Sequence, residues 1–552
     1  MPDGLPAEKR LRNNIADLFL SGGASGSRAQ SLAYDASLAG AQHVGDLGRA
    51  GAYGKQPGNC SRDLTRKLVK GSLWPEPYIA QIRLKDHRGQ QETQGLVSFL
   101  LPHEIIHALG EHGDPLQAQQ GTPEDVKAHL NFCSAQMSTP VEQILAISMW
   151  GDGVPYNWDR SQSLDLISIS FPCFVGENAK IRIPVVGLDH RQIIKHKTYD
   201  DIMQILAWSF SICALGIHPQ SRHDGSPWGQ GDKSRAKMSN QALSIKAVLA
   251  ESKSDWKWLK DCFRFGQHNE SSGICWMCTA TPNSWKEWSP QAAWRKDRLT
   301  HWQLIMRLRG KGLGMSPFFS IPFVRSHIIK PDWLHVADHG VAADFLGNFL
   351  KIISHKFDAP THEQRVQKLW ADIKQFYKSY KVDSQLDALT SGMIQAPGKP
   401  PKLRAKAAEV RALVPYALDV SERLLDVNDE FELAVHSMAK ELNNSYDLLS
   451  HDKFNHADMK RCASRFASSY LVMESKFSNG VDWRCKPKMH LWMELTEYFA
   501  TNPANYWTYR DEDFGGAMAT ACRRRGGSHT AISSKLLVRF CARHPLPRLT
   551  GA

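Results

Sequence analysis

Residues 144–155 read Ile144-Leu-Ala-Ile-Ser-Met-Trp150-Gly-Asp152-Gly-Val-Pro, an apolar run that ends at an acidic residue. A short, continuous apolar run bounded by turn-forming residues is typical of a buried strand. Two more β-branched runs, Leu164–Phe171 and Ile181–Leu188, follow it and are bounded by Pro and Gly. This part of the chain therefore predicts three successive strands, with Asp152 at the exit of the first.

Further elements extend that pattern. Tyr199–Ala214 predicts an amphipathic helix, and a fourth strand-like run at Ile245–Leu249 leads to Asp255. A fifth run, His327–Leu334, contains Asp332. Three strands, a helix, a strand, more helix and a fifth strand follow one another in an RNase H-like fold. We therefore expect the α/β class with an RNase H-like mixed sheet core.

The rest of the chain predicts mostly helices. Tyr78–Leu84 and Gly95–Leu100 differ, since they predict a β-hairpin, and Pro102 starts a helix after it. From Phe345 onward the chain is rich in Leu, Ala, Lys and Glu, with a helical period broken at Pro397–Pro401. We expect a helical N-terminal region at 1–75, a hairpin with helices at 76–140, an RNase H-like core with a Cys-x-x-Cys element at 141–350, a large all-α insertion at 351–500, and a final catalytic helix with a basic tail at 501–552.

The composition is that of a globular protein with an anionic partner. Hydrophobic residues make up 42% and charged residues 22% of the 552 residues, which are ordinary values. A net charge of +12 favours nucleic acid as that partner. No apolar run approaches the ~18 residues of a membrane span, and the N-terminus lacks the apolar stretch of a signal peptide. Eleven scattered Cys do not suggest a disulfide framework, so we expect an intracellular protein that binds no membrane.

Three carboxylates, on Asp152, Asp255 and Glu512, are the candidate catalytic groups. Two-metal phosphodiester chemistry uses carboxylates on two Mg²⁺ or Mn²⁺ ions roughly 3.5–4 Å apart, because hard cations prefer oxygen ligands. Acids at the exits of the first and fourth strands would lie side by side, and a final helix would supply the third. Each acid also has an ordinary explanation. Asp152-Gly153 suits a hairpin turn, Asp255 suits a helix cap, and Glu512 suits a helix N-terminus.

Several motifs resemble one family. Asp332-Trp-Leu-His335-Val-Ala-Asp-His-Gly-Val341, followed by Phe345-Leu-Gly-Asn348, resembles the D-x-x-H box of DDE transposase superfamilies related to the CACTA, Plavaka and KDZ groups. Cys275-x-x-Cys278, Met489-His490 and Tyr509-Arg-Asp-Glu512 are similar to accessory motifs and to the final helix of the same superfamilies. The resemblance spans about residues 140–540.

The resemblance implies a DDE-type nuclease with Asp152, Asp255 and Glu512 as catalytic acids. It implies that Asp332, His335 and Asp513 lie near the site. The chain departs from the family in two ways: it shows no N-terminal DNA-binding finger, and the acidic run at 511–513 leaves the third acid open between Glu512 and Asp513. A descendant that binds DNA without cutting it is therefore an alternative.

Cys275 and Cys278 have the spacing of a structural zinc site, which needs two further ligands. The resemblance points to His335 and His490 as those ligands, and His301 or His268 are alternatives. Two buried thiols without a metal are the competing interpretation.

His103-Glu104-Ile-Ile-His107 matches the H-E-x-x-H pattern of zinc metalloproteases, in which two His bind zinc and the Glu acts as general base. Glu124 is a candidate third ligand. An ordinary surface helix with two solvated histidines explains the same residues, since Leu101, Ile105 and Leu109 form its apolar stripe.

Two basic clusters are candidate DNA contacts, because cationic side chains that bind phosphates release counterions. They comprise Lys402, Arg404 and Lys406 in one segment and Arg523, Arg524 and Arg525 near the C-terminus. A solvated helix face is the alternative for the first cluster. Either cluster would suit a nuclear import signal, so we expect a nuclear location.

Three functions follow from these patterns. We expect transposase-like hydrolysis and strand transfer of DNA phosphodiesters, with DNA as partner and homo-oligomerisation left open. The alternatives are a non-catalytic DNA-binding protein derived from a transposon and an H-E-x-x-H zinc metalloprotease.

Overall fold

The computed structural model of this protein describes residues 7–20, 23–69, 72–86, 90–157, 159–271, 273–312, 314–523 and 532–549. A five-stranded mixed sheet and a two-stranded sheet lie among numerous helices, so the predicted α/β class is confirmed. No helix in these ranges is long and apolar enough to cross a membrane.

The N-terminal region is helical and has a small apolar core of its own. Its helices are α1 (Ala7–Leu20), α2 (Gly26–Leu38), α3 (Gly45–Gly48), α4 (Ala50–Tyr53) and α5 (Pro57–Val69). Ile15, Phe19, Ala33, Leu47 and Leu64 are buried against one another between these helices. A hairpin of strands β1 (Tyr78–Lys85) and β2 (Glu92–Phe99) follows, then α6 (Pro102–His112) and α7 (Glu124–Met137).

The five-stranded sheet is the centre of the molecule. Its strands and the helices between them are β3 (Ile144–Pro155), β4 (Ser163–Ser170), β5 (Ile183–Asp189), α8 (Lys197–Leu215), α9 (Lys233–Met238), β6 (Lys246–Ser254), α10 (Trp256–Phe263), α11 (Ala293–Lys296), α12 (His301–Arg309) and β7 (Ile329–Pro331). The spatial order is β5-β4-β3-β6-β7. The first three strands pair antiparallel, whereas β6 and β7 run parallel to β3.

Two strands differ from the predictions. Strand β3 continues to Pro155, and Asp152 pairs with Leu166 of β4, so the alternative of a hairpin turn at Asp152-Gly153 is wrong. The fifth strand is shorter than predicted, because β7 covers only Ile329–Pro331. Proline cannot donate to the hydrogen-bond ladder, and a π-helical segment begins three residues later at Leu334.

Only helices are present among the elements between β7 and residue 500. The π-helical segment Leu334–Ala342 runs into α13 (Ala343–His355), followed by α14 (His362–Tyr380), α15 (Ser391–Ile394), α16 (Ala407–Leu424), α17 (Glu430–Asp447), α18 (His456–Val472) and α19 (Lys488–Glu497). Gly347 of the D-x-x-H box permits a close approach here, since a Cβ on it would lie 2.3 Å from the main-chain nitrogen of Lys402. The chain ends with α20 (Tyr509–Arg523) and α21 (Ile532–Arg543).

Candidate functional site

Three acids lie in one row across the parallel strands. Gly151 of β3 pairs with Ser254 of β6, which in turn pairs with Pro331 of β7. The next residue after each of these positions is an acid, namely Asp152, Asp255 and Asp332. Because the carboxyl ends of parallel strands lie at one edge of the sheet, this register brings together acids that are far apart in sequence.

Helix α20 adds a fourth acid above the row. Side chains two residues apart on a strand share a face, so Trp150, Asp152 and Val154 face the same way. A Cβ on Gly515 would lie 2.8 Å from atoms of both Trp150 and Val154, so the absence of a side chain there lets α20 lie directly on this face. Glu512, three residues before Gly515, is on the same side of the helix.

Asp152, Glu512 and His335 form a cluster whose possible ligand atoms all lie within 4.8 Å of one another. Burial and then the charge of Asp255 raise the pKa of Asp152. Burial and the charge of Asp152 raise the pKa of Glu512 to about 9. Within the described part of the chain, Oε1 of Glu512 is buried without a hydrogen-bond partner. Close carboxylates that resist ionisation are the setting that a bound cation would relieve.

Asp332 is not a free carboxylate, because it holds His335 in place. Its Oδ2 accepts hydrogen bonds from Nδ1 of His335 at 2.7 Å and from the main-chain nitrogen of His335 at 3.1 Å. Nε2 of His335 then lies 3.8 Å from Oε1 of Glu512. Burial lowers the pKa of His335, but the hydrogen bond and charge of Asp332, helped by Glu512 and Asp152, outweigh burial and raise it to about 9. Asp332 therefore fixes the ring of His335, and the neighbouring carboxylates favour its protonated form.

The acidic run at the start of α20 divides among three environments. Asp511 is fully buried and pairs with Nε of Arg182 at 2.6 Å and with the ammonium of Lys253 at 3.2 Å. Glu512 belongs to the cluster with Asp152, and Asp513 is exposed. Of the two candidates for the third acid, Glu512 is thus the residue that faces Asp152.

Asp255 is a helix cap, as one interpretation of the sequence expects, and is not one of the residues in the cluster of Asp152, Glu512 and His335. It caps α10, because its Oδ1 accepts a hydrogen bond from the main-chain nitrogen of Trp258 at 2.5 Å. It also lies next to Asp152 in the row, close enough for its charge to raise the pKa of Asp152. Its second carboxylate oxygen is not used by the cap.

A second cluster brings together Cys275, Cys278, His490 and Glu494, whose ligand atoms also lie within 4.8 Å of one another. All four residues are buried. Nε2 of His490 lies 3.3 Å from the sulfur of Cys278 and 3.4 Å from Oε1 of Glu494. The expected ligands Cys275, Cys278 and His490 therefore converge. His335 belongs instead to the carboxylate cluster, and neither His301 nor His268 is in either cluster.

Glu494 is the member of this cluster that sequence analysis missed. It lies four residues after His490 on α19, so both side chains project from one helix face. The guanidinium of Arg298 forms an ion pair with its other carboxylate oxygen at 2.6 Å. Burial raises the pKa of Glu494, but His490 and Arg298 outweigh burial and lower it to about 2. The spacing of four residues between His490 and Glu494 on a helix is the sequence feature that could have predicted Glu494 as a ligand.

The donor set fits zinc. Thiolates, imidazole and carboxylate are zinc ligands, and four of them make the usual coordination number of a structural site. Two thiolates and one carboxylate around a divalent cation leave one net negative charge. Arg298, paired with Glu494, supplies the balancing positive charge in the surrounding shell.

The H-E-x-x-H residues do not form a comparable group. Nδ1 of His103 pairs with the hydroxyl of Ser209 at 2.8 Å, and Nδ1 of His107 accepts from the main-chain nitrogen of Ser244 at 3.1 Å. Glu104 is held by Arg235 through two contacts, at 2.6 and 2.9 Å. These side chains line a cavity of about 410 Å³, but they are not one of the ligand clusters found in the described residues.

The basic residues lie in different settings. Lys488 donates to the carbonyl of His335 at 2.6 Å and is close enough to Asp255 and Asp332 for their charges to act on its pKa. Lys402 donates to the carbonyl of His339 at 2.7 Å and lies 3.9 Å from Asp344. Arg404 and Lys406 are exposed. Arg523 ends α20, and Arg524 and Arg525 lie outside the described residues.

The chain was also compared with known proteins. No protein-family model matches it, and no curated protein matches it. Its function is therefore inferred from the two clusters and the elements that hold them.

Proposed function

We propose that this protein is a transposase-like nuclease that hydrolyses and joins DNA phosphodiesters at a divalent-metal site. Asp152, Asp255 and Glu512 would hold the metal ions. The observation that carries this proposal is the row of acids at the ends of neighbouring parallel strands, closed by Glu512 from a helix 257 residues after Asp255.

The sheet supports the proposal. A central strand β3 with one antiparallel neighbour, β4, in a sheet whose other three strands run parallel to β3 suits an RNase H-like core. In that fold the helices α13 to α19 would be an insertion between the fifth strand and the final helix. Asp152 and Asp255 would then be catalytic acids on adjacent strands.

The carboxylates fit Mg²⁺ or Mn²⁺. Oδ1 of Asp152 accepts from the main-chain nitrogen of Gly153 at 2.7 Å, and Oδ1 of Asp255 caps α10, which leaves one oxygen on each for a cation. Oε1 of Glu512 has no hydrogen-bond partner in the described chain. When bound, two such ions would activate the attacking oxygen and stabilise the leaving oxygen.

The neighbouring residues would orient the DNA and supply a proton. The imidazolium of His335, fixed through Nδ1 by Asp332, presents Nε2 to the cluster and would donate to a phosphate oxygen or to the leaving oxygen. Lys488 adds positive charge beside the row, which favours the approach of a phosphodiester. DNA as substrate would make the nucleus the site of action.

The second cluster would have a structural role. Zn²⁺ on Cys275, Cys278, His490 and Glu494 would fasten the segment between α10 and α11 to helix α19. That helix begins at Lys488, so the metal would also fix the lysine beside the carboxylate row.

A cleavage assay on supercoiled plasmid DNA in Mg²⁺ or Mn²⁺ tests the function. We expect nicking by the wild type and by Asp513→Asn, which removes an exposed carboxylate of the same helix. We expect no nicking by Asp152→Asn or Glu512→Gln, although both still bind DNA. Salt-sensitive DNA binding without nicking by the wild type would contradict the proposal and favour the non-catalytic DNA-binding alternative.

A further inference from the structure

A cavity of about 510 Å³ lies beside the start of α20, and its lining is rich in positive charge. Arg182, Lys253 and Arg510 contribute cationic groups to it, and Trp507 contributes an aromatic ring. The buried carboxylate of Asp511 pairs with two of these cations. The three cations of the lining outnumber this one acid, so the cavity has an excess of positive charge.

Lys253 is the most informative residue of this lining. Its side chain is 4% exposed, and its ammonium is 3.2 Å from Oδ2 of Asp511, its one hydrogen-bond acceptor among the described residues. An ammonium has three N–H donors, and a buried donor without an acceptor is costly. An anion in the cavity would supply the missing acceptors.

Arg182 is arranged in a similar way. The terminal nitrogen Nη1 of Arg182 donates to the carbonyls of Ala179 and Ile181 at 2.8 and 3.0 Å, and its Nε lies 2.6 Å from Oδ1 of Asp511. Its side chain is 9% exposed. A guanidinium held in this way is preorganised for a phosphate, whose oxygens match its planar donors.

The cavity is adjacent to the acid row. Asp255 follows β6 directly in an extended conformation, so its position lies roughly 6.6 Å along the chain from that of Lys253, near the end of the strand. Asp511, which pairs with both Arg182 and Lys253, immediately precedes Glu512 on α20. A ligand in this cavity would therefore lie next to a phosphodiester at the row.

We infer that this cavity binds a phosphate ester of the nucleic-acid strand whose neighbouring phosphodiester is cleaved, an inference that rests on the proposed function. Lys253, Arg182 and Arg510 would contact the phosphate oxygens. The half-buried ring of Trp507 would stack with a base, as aromatic residues do in proteins that bind single strands. A free mononucleotide presents the same phosphate chemistry and is the rival source.

Fluorescence anisotropy with a labelled, 5′-phosphorylated single-stranded oligonucleotide in EDTA tests the inference. We expect Lys253→Met and Arg510→Gln each to weaken binding about tenfold. Each should also reduce the slope of the logarithm of the binding constant against the logarithm of the salt concentration by about 1. Lys180→Met is the matched control, because that exposed lysine pairs with Glu177 and is outside the cavity lining. Arg510 is exposed, so its variant gives a result even if Lys253→Met fails to fold.

Equal affinity of the two cavity variants and Lys180→Met would overturn the inference. Displacement of the oligonucleotide by inorganic phosphate or a mononucleotide at similar concentrations would assign the cavity to free phosphate compounds and would contradict a strand ligand. EDTA removes divalent cations, so this assay measures binding in the cavity without the metal-dependent cleavage of the proposed function. Loss of binding in the cavity variants without nicking by the wild type would uphold the cavity and reject the nuclease.

Discussion

Asp332 accepts two hydrogen bonds from Thr508, at 2.9 Å from its main-chain nitrogen and 2.7 Å from its hydroxyl, although 176 residues separate them. Thr508 immediately precedes α20, which carries Glu512. Asp332 also binds His335, so one buried carboxylate sets both the imidazole and the final helix. His335 of the D-x-x-H box and Glu512 of α20 are therefore both positioned through Asp332.

Thr508→Val tests that connection. The change keeps the side-chain shape and the main-chain hydrogen bond but removes the hydroxyl donor to a charged acceptor. We expect the free energy of unfolding to fall by about 1.5–3 kcal/mol, with weaker DNA cleavage because Glu512 is less firmly placed. Thr520→Val, at an exposed position of the same helix, should change stability by no more than about 0.5 kcal/mol. Equal effects of the two changes in thermal unfolding would argue against the role of Asp332.

The second cluster predicts bound zinc. Protein purified without chelators should contain one zinc ion per chain, as measured by elemental analysis, because four ligands converge there. Cys278→Ser and Glu494→Ala should lose most of this zinc. Cys462→Ser removes another buried thiol and should retain it. Full zinc occupancy in Glu494→Ala would show that the glutamate is not a ligand.

Buried histidines predict a loss of stability in acid. Burial, as the main cause, lowers the pKa of both His129 and His327 to about 4 from 6.5. Since the unfolded chain binds protons more readily, their contribution to stability is complete above pH 6.5 and is lost as the pH falls towards 4. Each pKa unit corresponds to about 1.4 kcal/mol.

Chemical denaturation between pH 4 and 7.5 measures this dependence. His327→Gln should flatten the acid slope, because it removes one titrating group and a partner of His129 at 3.2 Å. His268→Gln, at an exposed position, should leave the slope as in the wild type. The prediction fails if His327→Gln and the wild type lose stability in parallel.

Glu104 pairs with the buried guanidinium of Arg235, which also pairs with Asp232. Glu104→Gln should lower the free energy of unfolding by about 1.5–3 kcal/mol, because it removes one of the two carboxylates that accept from this guanidinium. Glu124→Gln, at an exposed position, should change it by less than about 0.5 kcal/mol. Zinc-dependent peptide cleavage that disappears in a stable Glu104→Gln protein would instead restore the metalloprotease hypothesis.

The strand pattern was predictable because buried parallel strands are continuous apolar runs. The apolar residues from Ile144 predicted β3, but its extension through Asp152 and Gly153 was not evident, since both residues disfavour strands. Pairing with β4 overrides that local preference. Asp255 lies at the sheet edge because α10 starts directly after β6 and Asp255 caps it. A helix cap is therefore compatible with the role proposed for this residue.

The ligands of the second cluster were less predictable. Glu494 lies far along the chain from Cys278, and its contact with that cysteine pair depends on how α19 packs. His335 was expected at zinc, yet the D-x-x-H spacing itself suits a capping acid that bonds a side chain one helical turn later. Arg298, which compensates the charge of the cluster, carried no sequence signal.

Titration with Mn²⁺, followed by electron paramagnetic resonance on zinc-loaded protein, tests the central claim most directly. The wild type and Asp513→Asn should bind two Mn²⁺ per chain, because the exposed Asp513 is not in the cluster. Asp152→Asn, which removes the same charge from the row, should lose at least one ion or bind it more than tenfold more weakly. Identical Mn²⁺ binding by Asp152→Asn and Asp513→Asn would contradict a metal site at these carboxylates.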